Sequence, residues 1–263
     1  MDLGLQGKTA LVAAASRGLG RAVAEALTAE GASVVICARG AAALDEARAA
    51  IAERTGITVE TVVADVATDE GIARVWQHAR NRLGRVDVLV TNAGGPPPGP
   101  FESLTWDSWQ QAVELTLRSA VELTRLVLPE MKERRWGRIL NITSIAAKQP
   151  VEGLMLSNSI RAAVTGFART LANEVARYGV TVNNILPGYT RTERVEQLNA
   201  DNAAREGISV DEISRRIEAQ IPMRRLGEPH EFASLIAFLA SEQAAYITAQ
   251  SIAVDGGWIR SLL

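Results

Sequence analysis

The first residues that could do chemistry lie in AAASRGLGRAVAEAL (13–27). Gly18 and Gly20 fall where an apolar run gives way to a helical pattern, so the first amides of that helix would face an anion such as phosphate. A glycine-rich turn alone is a weak signal, and here the strand before it and the helix after it give it weight. Arg17 in the turn and Arg39, just past the run SVVICA (33–38), add a second constraint. A nucleotide 2′-phosphate calls for cationic donors at this place, whereas a bare ribose calls for an acidic acceptor. No acidic residue closes that run, so the expected cofactor is NADP(H) rather than NAD(H).

Other chemistry-bearing residues point elsewhere or nowhere. The lone cysteine, Cys37, sits inside an apolar run, as a buried structural thiol would. A single cysteine rules out an internal disulfide framework and suits a reducing, cytoplasmic setting. His78 and His230 stand apart in charged helical segments, and no metal site is expected. The formal net charge of −2 lacks the basic excess of a nucleic-acid binder. No apolar run approaches the length of a membrane span, and the N-terminus has no signal-peptide pattern.

The elements that must position these residues follow from periodicity. Seven short, β-branched apolar runs begin at residues 9, 33, 58, 86, 137, 180 and 251. Amphipathic segments separate them, among them 20–31, 41–56 and 69–84, with long helices expected over 105–133 and 155–178. Near-continuous apolar strands alternating with helices predict an α/β fold. The expected architecture is a Rossmann-type doubly wound parallel sheet with helices on both faces, one domain spanning 1–263. Two segments break the rhythm: GGPPPGP (94–100), and a charge-rich excursion over 189–226 that could act as a substrate lid. Both leave strands at their carboxyl ends, where open α/β sheets bind ligands. The stretch 206–227 contains one amphipathic helix pattern.

Over nearly its whole length the chain resembles the short-chain dehydrogenase/reductase family, and within it the 3-oxoacyl-[acyl-carrier-protein] reductases. The resemblance is carried by SRGLG (16–20), AD (64–65), NAG (92–94), NITS (141–144), VNNILPG (182–188) and VDGG (254–257) in that order. It implies a cofactor cleft formed by Ser16, Arg17, Gly18, Leu19 and Gly20, with Arg39 alongside. Asp65 and Val66 would meet the adenine, Asn92, Ala93 and Gly94 would shape the cleft, and Pro187 and Gly188 would back the nicotinamide. It also implies a small-molecule carbonyl or alcohol substrate, no nucleic-acid or membrane partner, and a homo-oligomer, dimer or tetramer.

The chain departs from the family pattern at decisive positions. Ala13 and Ala14 stand where the family has Thr-Gly. Ser144 matches the family's catalytic serine, but thirteen residues on, at the tyrosine position, stands Ser157, and four further, at the lysine position, Arg161. The family's asparagine position holds Thr116. A serine hydroxyl is a far weaker acid than a phenol and sits on a shorter side chain, and a guanidinium does not shuttle protons at neutral pH. Arg161 could still hold ribose hydroxyls and supply positive potential. Three other proton sources are considered: Tyr189, directly after Pro187–Gly188; Lys148; and a water held by Ser144 and Ser157. The functional expectation is an NADP(H)-dependent oxidoreductase reducing a 3-oxoacyl-like carbonyl, or oxidising the alcohol, with Ser144 and Tyr189 as catalytic candidates. The alternative is a non-catalytic dinucleotide-binding sensor or silent partner subunit. A third reading, an assembly subunit that binds no cofactor, is disfavoured by Arg17, Arg39 and Asp65.

Overall fold

The computed structural model describes residues 1–262. Its centre is one sheet of seven parallel strands: β1 Thr9–Val12, β2 Ser33–Ala38, β3 Glu60–Val63, β4 Val88–Thr91, β5 Gly137–Ile142, β6 Val180–Pro187 and β7 Ser251–Val254. They lie in the order β3-β2-β1-β4-β5-β6-β7. The seven apolar runs each supply one strand, and β2 matches its run residue for residue.

Side chains alternate across the sheet, so each strand serves two cores. Ala10, Val12, Val34, Ile36, Val88, Val90, Leu140 and Ile185 face one side. There they meet α1 (Gly18–Ala29) and, through Phe232, Ile236 and Leu239, the helix α9 (Pro229–Ala240). Leu11, Val35, Cys37, Leu89, Ile139 and Val182 face the other side. Their partners come from α3 (Asp69–Leu83), α5 (Ser119–Arg134) and α6 (Met155–Val175). Burial on both faces is why the strands read as unbroken apolar runs.

One polar line crosses this core. The Thr91 hydroxyl donates to Asn141 Oδ1 at 2.7 Å, Asn141 Nδ2 donates to Asn184 Oδ1 at 3.1 Å, and Asn184 Nδ2 donates to Ser251 Oγ at 3.1 Å. Four adjacent strands, β4 to β7, are thus tied side chain to side chain. Buried amides stay in place because each finds a partner.

The helix expected over 105–133 is interrupted. α4 (Trp106–Ala112) leads into a π-helical turn, Val113–Arg118, before α5 begins. Thr116 lies in that turn, buried, and its hydroxyl has no hydrogen-bond partner among the described residues. α2 (Ala41–Thr55) packs beside α1. Within 189–226 the amphipathic pattern becomes α8 (Val210–Gln220), and a further helix, α7 (Glu193–Glu206), precedes it. Ala203, Ile213, Ile217, Ile221 and Leu226 from this excursion close over Ile145, Leu186 and Trp258 as a small core of their own. No helix among the described residues is long and apolar enough to cross a membrane.

Candidate active site

Strand order reverses between β1 and β4, and the crevice at such a switch point opens beyond the carboxyl ends of the strands. Two adjoining cavities occupy it. The first, about 450 Å³, is lined by Ser16, Arg17, Arg39, Asp65, Val66, Ala93 and Gly94, among others. The second, about 380 Å³, shares Ala14, Arg17, Ala93, Gly94 and Gly95 with it and runs on to Ser144, Ser157, Arg161, Pro187, Gly188 and Tyr189. The expected nucleotide residues and the expected catalytic residues therefore share one elongated cleft.

Local reasons hold each wall in place. Ala14 takes a positive φ of 47°, the backbone conformation that suits glycine. Its carbonyl accepts a hydrogen bond from Asn92 Nδ2 at 3.1 Å, which ties the end of β4 to the end of β1. A Cβ on Gly20 would lie 2.5 Å from that carbonyl and 2.9 Å from Asn92 Nδ2. Gly20 is buried away from the cavity wall, so its role is to admit this close packing rather than to touch a ligand. Gly18, with φ 54°, and Leu19 do line the cavity. On the opposite wall, a Cβ on Gly188 would meet Asp255 at 2.7 Å. The Asp255 carboxylate accepts from the amides of Gly257 and Ile259, so the closing VDGG motif is the support beneath Pro187–Gly188.

Charges divide along the cleft. Arg39 is exposed and has no ion-pair partner among the described residues, leaving its donors for a phosphate. Arg17 lines both cavities, and its Nη1 also reaches Glu193 Oε2 at the start of α7, 2.7 Å away, so it bridges the glycine-rich turn to the 189–226 segment. Both partners are more than half exposed, which makes the bridge a weak and exchangeable one. Asp65 keeps one oxygen on the Ala67 amide, and its carboxylate faces the first cavity.

At the far end, Arg161 is buried on the inner face of α6. Its Nη1 donates to the carbonyls of Ile142 at 3.1 Å and Thr143 at 2.8 Å, the main-chain acceptors left free where β5 ends. Burial first, and then the nearby charge of Arg194, push its pKa down to about 10, so it stays cationic at neutral pH. Ser157, one helical turn earlier, faces the same cavity and bonds to no group among the described residues. The Ser144 hydroxyl accepts from the Ala146 amide at 3.1 Å and caps a short 3₁₀ turn.

Tyr189 lines the pocket as expected. It packs edge-on against Trp258, ring centres 6.0 Å apart, and burial raises its pKa. Lys148 is exposed and lies outside the cavity wall.

Sequence reasoning did not single out Arg194. It stands in the first turn of α7, donates from Nη2 to the Pro96 carbonyl at 3.1 Å, and lines the second cavity opposite Ser144. Thr192 capping α7, followed by Glu193, carried a helix-start signal from which α7, though not this role, was legible.

Comparison with known proteins agrees with this geometry. Residues 13–259 match the family model described as Enoyl-(Acyl carrier protein) reductase. The 3-oxoacyl-[acyl-carrier-protein] reductase FabG of Vibrio cholerae is 36% identical over 255 residues, covering 97% of this chain and 98% of that protein. The chain belongs to the short-chain dehydrogenase/reductase family. Among solved members of that family, L-sorbose reductase from Gluconobacter frateurii, complexed with NADPH and L-sorbose, superposes with a TM-score of 0.94 at 34% identity over the full length of both chains. Actinorhodin polyketide ketoreductase with NADPH gives 0.93 at 34% identity, covering 97% of this chain and 98% of that one. The short-chain dehydrogenase/reductase fold is thus intact here.

Proposed function

We propose that the protein is an NADP(H)-dependent carbonyl reductase in which a fixed guanidinium and a serine-held water replace the usual tyrosine and lysine. The observation that carries this reading is Arg161: a buried cation anchored by two carbonyls at the end of β5, facing the cavity that also holds Ser144 and Ser157. NADPH as the cofactor is supported by the NADPH complexes of similar reductases and by the unpaired Arg39 at the far end of the cleft. When bound, the cofactor supplies a hydride to the carbonyl carbon.

The chain's own residues then have three tasks. Gly18, Gly94 and Arg39 hold the dinucleotide. Arg161 stabilises the negative charge that gathers on the carbonyl oxygen as the C=O π pair moves onto it, a preorganised electrostatic effect. Ser144 and Ser157 position a water, which gives that oxygen its proton and is itself restored from bulk solvent. A carbonyl at the 3-oxo position suits the similarity to FabG, and the group at the acyl end is left open by that similarity. Tyr189, kept protonated by burial, shapes the pocket wall against Trp258.

Calorimetric titration with NADPH and NADH, followed by turnover on a ketone panel, tests the proposal. NADPH binds more tightly than NADH, and Arg39→Ala weakens NADPH by about 10- to 100-fold, the worth of a charge-assisted phosphate contact. Tyr189→Phe keeps kcat within a few-fold, whereas Arg161→Met lowers it by about 100-fold or more, as removal of a preorganised donor does. NADPH binding with no turnover would instead support the sensor or silent-partner reading. No binding of either nucleotide would overturn both.

A further inference from the structure

Two cations face the second cavity with no anion to balance them. Arg161 is 8% exposed, and both of its hydrogen bonds use Nη1 and end on neutral carbonyls. Arg194 approaches from the lid, with Nη2 on the Pro96 carbonyl and no carboxylate within ion-pair distance among the described residues. The one acidic side chain on that wall, Glu193, is already paired with Arg17. Burial first, and then the charge of Arg194, make the Arg161 cation more costly. An uncompensated buried cation is expensive, and a second one beside it adds to the cost.

The bed for Arg194 is built into the chain. A Cβ on Gly95 would lie 3.1 Å from Arg194 Nη2 and 3.3 Å from its Nε, so the guanidinium rests on bare backbone at this point. Pro96 presents its carbonyl from a proline-stiffened loop, and the arginine's remaining donors are left for a ligand. Ser157 contributes as well. Where a tyrosine would fill the space before Arg161, serine leaves the cavity open down to the buried guanidinium.

We infer that Arg161 and Arg194 form an anion subsite and that the substrate carries a carboxylate close to its reactive carbonyl, making it a small oxo acid rather than a neutral ketone or thioester. A planar guanidinium matches a carboxylate with two parallel hydrogen bonds. Arg194 sets this specificity from the pocket mouth, and Arg161 supplies potential from beneath. The inference rests on the reductase reading for where the carbonyl sits, but it is tested by binding alone.

The probes are acetoacetate and methyl acetoacetate, titrated calorimetrically into the protein saturated with NADP⁺, which cannot reduce either of them. The acid binds at least about tenfold tighter than the ester, a preference that shrinks with added salt as a charge interaction must. Arg194→Met abolishes the preference and Arg194→Lys keeps part of it, while NADPH affinity and thermal midpoint stay as in the parent. Arg194 is exposed and outside the core, so these variants fold. Equal binding of acid and ester, no measurable binding of the acid, or a preference that survives Arg194→Met would each overturn the inference. Failure of NADPH to bind in a prior titration would count against the reductase reading, and the same two probes titrated into the free protein would still decide the subsite.

Discussion

Single residues of the cleft have effects that can be separated. Ala14 sits at φ 47° where a glycine would be unstrained. Ala14→Gly removes a left-handed penalty of about 1–2 kcal/mol and loses part of that to chain entropy, for a net gain of roughly 0.5–1 kcal/mol in chemical denaturation. Loss of stability in that variant would mean the methyl group is a packing element instead. Arg161 gives a pH signature. Its charge is present below about 10 and lost as pH rises through that value, so activity that depends on it declines on the alkaline side. Arg161→Lys, with a titratable ammonium of lower intrinsic pKa, moves that decline to lower pH. An alkaline limb unchanged in Arg161→Lys would assign the titration to another group. Ser157 and Arg161 were legible at this scale because strand and helix landmarks on both sides fix the register. The partners of Arg161 were not: two carbonyls at a strand end leave no trace in side-chain pattern.

Elements decide where those residues point. The NITS and VNN motifs are readable as family landmarks, but their physical work appears only in the sheet, where Asn141 and Asn184 link β4 through β7. Asn141→Leu leaves the Thr91 hydroxyl and the Asn184 carbonyl oxygen unpaired in the core and costs roughly 2–4 kcal/mol. Denaturant unfolding measures it, and a loss below half that range would show the ladder to be dispensable. The five inner strands were legible because burial on both faces makes them continuous apolar runs, while the edge strands β3 and β7 are only half-buried and were marked by their β-branched residues. The π-helical turn at Val113–Arg118 was not, because helical periodicity runs through it without a proline or glycine to mark the break. α7 could be read only from its start, at Thr192 and Glu193, because it buries only Asn199 and Ala203 and so has almost no apolar stripe.

At the scale of the whole molecule, one crevice joins the cavity lined by Arg39 and Asp65 to the cavity lined by Ser144, Ser157 and Arg161, the proposed nucleotide and reaction ends. The 189–226 segment is tied to the glycine-rich turn through Arg17 and Glu193, which stand 176 residues apart in sequence. That distance is why the Arg17–Glu193 pair could not be read from the sequence. The central claim is that hydride transfer proceeds here without the family's tyrosine. It is tested most directly by a single turnover with NADPH deuterated at its transferable position and a 3-oxo acid, the alcohol analysed by mass spectrometry. Deuterium in the alcohol from the parent protein and from Tyr189→Phe, with none from Arg161→Met, is the result this account predicts. NADPH bound tightly but no label in any product would contradict it and leave a nucleotide-binding protein without chemistry.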